Sequence, residues 1–181
     1  MGSTEWRITQ DSTDARIYEN VKLGKNVKLE LGSIIYGNCE IGDYCIIGTN
    51  SVIKENVKIG NYTIVGSMSL IEKDVVIGSA NSIMPFVAIG SDTVIGNNCF
   101  IGPYFGHTNC RHIPDGYKGS HPKRIQGEIE GITIGNNVVI GANCSTTPGI
   151  TIGDNCKISM NCFIRKDVPE NTYIRSNTIY A

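Results

Sequence analysis

The sequence predicts an all-β chain that coils as a parallel β-helix, and two observations lead to this prediction. From Ile17 to Ile101 every sixth residue is Ile, Leu or Val, and glycine follows many of these positions. An α-helix would scatter these residues around its axis, and glycine and β-branched residues disfavour helix. A short strand followed by a turn, repeated every six residues, explains the pattern, and such repeats stack into a solenoid.

The strands and turns of this repeat also account for many of the small residues. Side chains alternate across a strand, so the residue two positions before each aliphatic one should point inward as well. Gly, Asn and Asp are expected to form the turns because they tolerate positive φ, as at Gly60-Asn61 and Gly153-Asp154-Asn155. Six of the seven cysteines occupy the small inward position, and we interpret them as apolar core fillers: Cys39, Cys45, Cys99, Cys144, Cys156 and Cys162.

Length and composition fit one globular domain. The 181 residues carry a net charge of -1, with 40% hydrophobic and 18% charged residues. These values argue against disorder and against a general nucleic-acid or membrane-surface binder. The chain has no apolar run near the roughly 18 residues that a membrane span needs, and its first residues lack a signal-peptide pattern. We therefore expect a cytoplasmic protein without membrane insertion.

The repeat is interrupted between residues 104 and 131. After Ile101 the six-residue grid reaches His107 and Ile113, and it then loses phase until Ile134. The interval contains all three histidines of the chain. Long loops on rigid scaffolds often carry catalytic residues, so we predict that this loop is the functional segment.

These boundaries divide the chain into three parts. The expected organisation is an N-terminal cap at 1–16, the β-helix at 17–169 with the loop at 104–131, and a C-terminal tail at 170–181. The cap should close the open end of the β-helix, because repeat folds need capped ends.

Three segments after the interruption resemble the hexapeptide-repeat acyltransferases: residues 134–142 (IGNNVVIGA), 148–155 (PGITIGDN) and 166–169 (KDVP). This family includes sugar O-acetyltransferases and nucleotide-amino-sugar N-acyltransferases. The resemblance implies a left-handed parallel β-helix of about seven hexapeptide-repeat coils, with the long loop extruded near residues 104–131. It also implies a homotrimer that binds acetyl-CoA in grooves between subunits and acts on a sugar or nucleotide sugar.

The resemblance further implies a catalytic histidine in the loop. Residues 101–103 (IGP) and 112–115 (HIPD) resemble the galactoside and maltose acetyltransferases, which makes His112 the first candidate for the general base. Asp115 could hold the tautomer of that imidazole. Acyl transfer requires the acceptor hydroxyl or amine to lose a proton as it attacks the thioester carbonyl. A neutral imidazole suits this step because its ordinary pKa lies close to working pH.

Other loop residues have second-rank roles. His107 follows a glycine as in the Gly-His step of these enzymes and is the second candidate, although its place on the grid should turn it inward. His121 lies in a His-Pro-Lys run that resembles one in serine acetyltransferases. Together with Tyr104 and Asn109, His121 is expected to contact the acceptor. Cys110 offers a ping-pong alternative through an acyl-thioester.

The CoA contacts also come from the resemblance. Arg165 and Lys166 could meet the CoA phosphates as charge-assisted partners. This chain departs from the family at 159–161, where SMN replaces a Gly-Ala-Gly run, and at Val139, where many relatives have Trp. No metal is expected. The corresponding positions are Val139, Gly141, Ala142, Ser159, Arg165 and Lys166.

Two other functions stay open. One is a metal hydratase, because γ-class carbonic anhydrases share this fold and His107 and His112 are spaced like two of their zinc ligands. The place of their third ligand is taken here by Ile71. The other is a non-catalytic β-helix used for assembly or surface binding, although outward residues such as Lys54 and Glu72 do not form a regular array.

Overall fold

The computed structural model describes residues 14–107, 109 and 129–181. Within these residues the regular secondary structure consists of two-residue β-strands arranged in three parallel sheets, which we name sheets A, B and C. None of the described residues forms a helix with the length and hydropathy that a membrane span requires.

The strands alternate regularly among the three sheets. Sheet A contains β1 (Arg16–Ile17), β4 (Ile34–Ile35), β7 (Val52–Ile53), β10 (Leu70–Ile71), β13 (Ala88–Ile89), β16 (Gly106–His107), β19 (Ser145–Thr146), β22 (Phe163–Ile164) and β24 (Ile179–Tyr180). Sheet B contains β2 (Lys22–Leu23), β5 (Glu40–Ile41), β8 (Lys58–Ile59), β11 (Val76–Ile77), β14 (Val94–Ile95), β17 (Thr133–Ile134) and β20 (Thr151–Ile152). Sheet C contains β3 (Lys28–Leu29), β6 (Ile46–Ile47), β9 (Ile64–Val65), β12 (Ser82–Ile83), β15 (Phe100–Ile101), β18 (Val139–Ile140), β21 (Lys157–Ile158) and β23 (Tyr173–Ile174).

Each strand pairs in parallel with the strand one coil away. Ile17 pairs with Ile35, and Ile35 pairs with Ile53, so that three hexads make one coil. The sheets contain nine, seven and eight strands, which amounts to about eight coils. The predicted all-β parallel β-helix is therefore confirmed, with about one coil more than the sequence analysis expected.

Two kinds of inward residue fill the core. The second residue of most strands is a buried aliphatic side chain, and the residue before each strand is usually small and buried. The small residue often donates a hydrogen bond to a turn carbonyl of the next coil, as Cys39 Sγ does to Lys54 O (2.9 Å). Ser51 Oγ makes the same bond to Gly66 O (2.9 Å). Either cysteine or serine can therefore occupy this position, because both are small and both can donate to the same carbonyl.

The six grid cysteines are buried free thiols, in agreement with their interpretation as core fillers. Burial raises the pKa of the thiols of Cys39, Cys45 and Cys99. For Cys144, burial raises the pKa from 9.0 to about 11. Because the thiolate is the reactive form, these side chains serve packing and not chemistry.

The glycines that follow the aliphatic residues are required by the close approach of successive coils. A Cβ on Gly60 would lie 2.7 Å from the amide nitrogen of Ser79. The sequence analysis explained these glycines by positive φ, and this explanation is wrong, because only Gly32 and Gly149 have positive φ among the glycines described. Positive φ falls two residues before the strands, where asparagine is common, as at Asn98 (φ 58°). The expectation that asparagine adopts positive φ in the turns is therefore confirmed.

Side chains next to these glycines form a hydrogen-bond ladder along the corner between sheets B and C. Asp43 Oδ1 accepts from Lys25 N (2.7 Å), Asn61 Oδ1 from Asp43 N (2.8 Å), and Ser79 Oγ from Asn61 N (3.1 Å). Each side chain satisfies an amide of the preceding coil, which explains the recurrent Ile-Gly-Asx pattern. The ladder continues through Asn97, Asn136 and Asp154.

The coil path continues through His107 before the chain leaves it. β16 pairs with β13 and β19, and Phe105 is buried. At the root of the interruption, Glu130 N donates to Asn109 O (3.0 Å). The sequence analysis began the loop at residue 104, whereas the structure keeps 104–107 in the coil. A Gly-His strand lacks the aliphatic signature on which that boundary depended.

The two ends of the chain also extend the coils. Residues 170–181, expected as a tail, carry β23 and β24, which pair with β21 and β22. The distance from Ile164 to Ile174 is not a multiple of six, so the grid did not reach these strands. At the other end β1 begins within the segment expected as a cap, and residues 1–13 lie outside the described residues.

Candidate functional site

The predicted catalytic histidines are only partly described. His107 is the last residue of β16 and is half-buried. Tyr104 and Asn109, two of the predicted acceptor contacts, flank it along the chain. The other predicted loop residues lie outside the described residues: His112, His121, Cys110 and Asp115.

The imidazole of His107 takes the place of a backbone carbonyl in sheet A. Its Nε2 accepts the amide hydrogen of Gly90 at 2.8 Å. At the equivalent point of two earlier coils the amide donates to a carbonyl, from Lys54 N to Ile71 O (2.8 Å) and from Glu72 N to Ile89 O (2.9 Å). Consistent with this substitution, β13 and β16 share only the pair Ala88↔Gly106.

A buried threonine makes a second contact with the same nitrogen. Thr93 Oγ1 lies 3.1 Å from His107 Nε2, and Thr93 is fully buried just before β14. Thr93 Oγ1 also accepts from Ile132 N (3.4 Å), the first buried residue after the interruption. The hydroxyl therefore connects the strand that ends in His107 with the point where the chain re-enters the coil.

Gly90 provides the space in which the imidazole lies. A Cβ at Gly90 would be 2.8 Å from His107 Cε1 and 3.3 Å from Asn109 Cβ. The ring of Phe105 lies on another side, with ring centroids 6.2 Å apart. The His107 ring is thus confined by one backbone amide, one hydroxyl and one aromatic ring.

Two further buried hydroxyls lie in the neighbouring coils. Thr146 pairs with His107 in the register of β16 and β19, and Ser91 follows Gly90. Thr146 Oγ1 and Ser91 Oγ are buried and have no hydrogen-bond partner among the residues described. The interior of the β-helix is therefore more polar where the loop leaves than along the aliphatic columns.

Tyr104 belongs to a column of exposed side chains at the corner between sheets C and A. The exposed fractions are 55% for Met68, 45% for Phe86 and 59% for Tyr104. We name these three residues the aromatic column, because two of them are aromatic. All three have positive φ, at 57°, 62° and 59°. Positive φ recurs at this turn position along the coils, as at Tyr44 and Tyr62, so it reflects the fold. The evidence for a contact role is the exposure of these large side chains, because exposed apolar patches often mark contact sites. The aromatic column is therefore a candidate contact surface.

The residues predicted to bind CoA fall into two groups. Val139 lies on the outer side of β18, and Gly141, Ala142 and Ser159 lie at the turns that follow β18 and β21. A Cβ on Gly141 would lie 2.5 Å from Met160 N, so coil packing alone requires this glycine. Ser159 Oγ is 3.1 Å from the hydroxyl of Tyr173.

Arg165 and Lys166 form the second group, beyond β22 at the other edge of sheet A. Lys166 Nζ lies 5.0 Å from the centre of the Tyr180 ring, a cation–π distance. The structure therefore brings four of the six predicted CoA residues together and places the two cations at the neighbouring corner.

Gly90 and Thr93 were missed by the sequence analysis as site residues. Gly90 follows Ile89 as the other grid glycines follow their aliphatic residues, and Thr93 occupies a small inward position. One signal was available: His107 on an inward grid position needs a polar partner, because buried polar groups are hydrogen-bonded.

A groove of about 510 Å³ lies on the outer face of sheet B. Lys22, Glu40 and Lys58 line it, with a Lys22–Glu40 ion pair at 3.1 Å. The hydrogen bond from Lys22, with the charge of Lys58 in support, lowers the pKa of Glu40. With two lysines and one glutamate, the lining of this groove has one net positive charge.

The structure shows no candidate metal centre in the residues it describes: no three His, Cys, Asp or Glu side chains of 14–107, 109 and 129–181 could share an ion. Ile71 is fully buried in the core. The hydratase hypothesis depends on His107 together with His112, and His112 lies outside this part of the chain, so it stays a hypothesis.

Two protein-family models match the sequence. The "Bacterial transferase hexapeptide (six repeats)" matches residues 14–55, 38–73 and 74–104, and the "Hexapeptide repeat of succinyl-transferase" matches 131–166. The chain belongs to the hexapeptide-repeat transferase family. The predicted family resemblance is thereby confirmed, and this hexapeptide-repeat protein has no match among the curated protein sequences.

Solved structures of low sequence identity also match the chain, and the first of these shares its fold. A UDP-N-acetylglucosamine acyltransferase from Campylobacter jejuni has a TM-score of 0.70 and 18% identity, over 91% of this chain and 66% of that chain. PerB from Caulobacter crescentus, solved in complex with CoA and GDP-perosamine, has a TM-score of 0.36 and 19% identity, over 88% and 49%. A hexapeptide-repeat-containing acetyltransferase from Vibrio cholerae has a TM-score of 0.46 and 20% identity, over 87% and 74%. The hexapeptide-repeat protein thus spans less than two thirds of the length of the Campylobacter jejuni enzyme and of PerB.

Proposed function

We propose that this hexapeptide-repeat protein transfers an acetyl or other short acyl group from acyl-CoA to a hydroxyl or amino group of a sugar or nucleotide sugar. The observation that carries the proposal is the placement of His107 at the root of the segment that holds the other two histidines. Family membership supports it, and so does the exposed Tyr104, which precedes β16 on the same coil.

The proposed reaction is direct transfer in a ternary complex. The acceptor O–H or N–H gives its proton to the imidazole of His112 while its oxygen or nitrogen bonds to the thioester carbonyl carbon. The carbon–sulfur bond then breaks, and the CoA sulfur leaves with that proton. A positioned base contributes about 10²- to 10⁴-fold to such a step. Cys110 remains the alternative through an acyl-thioester.

Binding of the acyl donor is proposed at the two groups of residues around sheet A. Val139, Gly141, Ala142 and Ser159 present small or apolar surface, which suits an extended pantetheine arm. Arg165 and Lys166 are cations suited to phosphates. For the acceptor, we propose contacts with Tyr104, Asn109 and His121. An aromatic face next to polar groups is a common arrangement in small-molecule sites.

We also propose self-association into a homotrimer with its active sites between subunits. Exposed apolar side chains on sheet C support an interface there, namely Ile64, Phe100 and Val139, and the aromatic column borders them. The Phe100→Lys variant is expected to reduce the particle mass measured by light scattering to that of one chain. Val94→Lys, on the outer face of sheet B, is the matched control and should not. Equal masses for both variants would contradict this choice of faces.

A cytoplasmic location is part of the proposal. The six buried cysteines are free thiols, which is the state that a reducing compartment maintains.

The first experiment is calorimetric titration with acetyl-CoA, with desulpho-CoA and a longer-chain acyl-CoA for comparison. Micromolar binding, weakened by about tenfold in Arg165→Ala, would support the proposal, since a charge-assisted hydrogen bond is of that size. Lys58→Ala, an exposed cation on β8 in sheet B, is the control and should bind as the parent chain does. CoA release is then measured with amino and hydroxy nucleotide sugars. Failure to bind any acyl-CoA would refute the donor and direct attention to metal content.

A further inference from the structure

The contacts at His107 Nε2 define which of its nitrogens carries the proton. The Gly90 amide can only donate, and it does so at 2.8 Å. Nε2 must therefore present its lone pair, and a neutral imidazole with Nε2 unprotonated carries its hydrogen on Nδ1.

Thr93 completes the same assignment. Its Oγ1 accepts from Ile132 N, so its own hydrogen is available for donation to Nε2 at 3.1 Å. Two donors then meet the Nε2 lone pair, one from the backbone and one from a fully buried hydroxyl. Protonating Nε2 would set an N–H against the N–H of Gly90, and neither of them can accept. The acidic side chains on the segments that contact the ring are Asp92 and Glu130.

A general base needs an open lone pair that points at the proton to be removed. The Nε2 lone pair is engaged, and Nδ1 already holds a hydrogen in this tautomer. We infer that His107 is held as the neutral Nδ1–H tautomer, with Thr93 as a positioning residue, and that it is therefore not the proton acceptor of acyl transfer. This inference rests on the proposed function, and it leaves the role of base to another group, for which His112 is the candidate.

The tautomer is measured directly on the full-length protein by long-range ¹H–¹⁵N correlation spectroscopy of the histidine rings, assigned with His107→Asn. The expected pattern at neutral pH is that of an Nδ1–H imidazole. Thr93→Val removes the hydroxyl at constant shape and should shift His107 toward a mixture of tautomers. Thr93→Ser restores the hydroxyl and should restore the pattern, even if the valine variant folds poorly. An Nε2–H or doubly protonated ring in the parent protein would overturn the inference.

The role is measured by steady-state kinetics of two variants. Asn at position 107 keeps an N–H near the place of Nδ1 but has no basic nitrogen, whereas Ala has neither. We expect both variants to keep the acid limb of the parent's pH profile, and His107→Asn to stay within about tenfold of the parent's kcat, because a residue that is not the base can lose its basic nitrogen. Equal, large losses in both variants together with loss of that limb would show that His107 is the base. If the parent protein transfers no acyl group at all, the proposed function fails, while the tautomer measurement still decides the assignment.

Discussion

The ring of Tyr104 stacks on that of Phe86 from the preceding coil, with centroids 5.1 Å apart and planes 6° from parallel. Both residues hold the left-handed conformation that asparagine holds at most other corners. The cost of that conformation for a large residue is about 1 kcal/mol. Stacking contributes about 0.5–1.5 kcal/mol beyond area burial. The two effects nearly cancel in folding, so selection for stability alone does not explain the aromatic residues.

A first prediction follows for this pair. Phe86→Asn and Tyr104→Asn should change the free energy of unfolding by less than about 1 kcal/mol, because relief of backbone strain offsets the lost stacking. Tyr104→Asn should nevertheless raise KM for the acceptor. Denaturant titration and steady-state kinetics measure the two effects.

The control is Tyr44→Asn, because Tyr44 stacks on Tyr62 with the same 5.1 Å separation at the corner between sheets B and C. It should change stability equally and leave KM unchanged. A KM that rises as much in Tyr44→Asn as in Tyr104→Asn would rule out a specific role for the aromatic column.

A second prediction separates two classes of glycine. Gly60→Ala should destabilise the protein by about 1–3 kcal/mol, because its Cβ would meet the backbone of the next coil at 2.6–2.7 Å. Gly106→Ala should leave the urea midpoint unchanged, since no described atom lies within 4 Å of its Cβ position. A drop in the midpoint for Gly106→Ala as large as that for Gly60→Ala would show that Gly106 is packed as tightly as Gly60, against this prediction.

A third prediction concerns alkaline pH. Burial raises the pKa of Cys144 from 9.0 to about 11. Between these values the unfolded chain releases a proton that the folded chain keeps, so the stabilisation is present below pH 9 and is lost as the pH rises toward 11. Urea midpoints at pH 8 and pH 10.5 should therefore differ less in Cys144→Ser than in the parent protein.

The serine variant is a fair test because serine already occupies this position in earlier coils, as at Ser51. The reverse substitution, Ser51→Cys, adds a buried thiol and should enlarge the difference between the two pH values. Identical pH dependence in the parent and both variants would mean that buried thiols do not govern the alkaline loss of stability.

A fourth prediction tests the base. His112→Ala should lower kcat by about 10²- to 10⁴-fold while leaving the urea midpoint unchanged, because a general base contributes to the transition state and not to folding. Cys110→Ala should be close to neutral if transfer is direct. Full activity in His112→Ala would move the role of base elsewhere, and loss of activity in Cys110→Ala would favour the acyl-thioester route.

The fold could be predicted from sequence because its information is local and repeated. One buried aliphatic residue per hexad, such as Ile53 or Ile71, defines the strand, and stacking of coils then follows. The meaning of the glycines could not be predicted, because the contact between Gly60 and Ser79 joins successive coils and leaves no mark within one hexad. Strands β23 and β24 were missed for a related reason, since the turn before them changes the spacing.

The candidate site could be predicted only in outline. The clustering of histidines directed attention to the interruption of the coil, and the inward phase of His107 agrees with its contact to buried Thr93. The imidazole replaces a carbonyl only because the coils stack in three dimensions. Gly90 and Thr93 have the residue types of ordinary turn and core positions, so the sequence does not distinguish them. The separation of Arg165 from Ser159 likewise depends on how strands are shared among three sheets.

The hydrogen-bond ladder between sheets B and C runs across the interruption without a break. Asn97 N donates to Asn136 Oδ1 over 39 positions of sequence at 2.9 Å, and Asn61 N donates to Ser79 Oγ over 18 positions at 3.1 Å. The scaffold therefore tolerates a large insertion between β16 of sheet A and β17 of sheet B with no change of register at the corner between sheets B and C, and loop closure grows only slowly more costly with length. The inserted segment can therefore change in length and sequence during evolution while the coil beneath it stays the same. Under the proposed function, the preference for the acceptor can change with that segment.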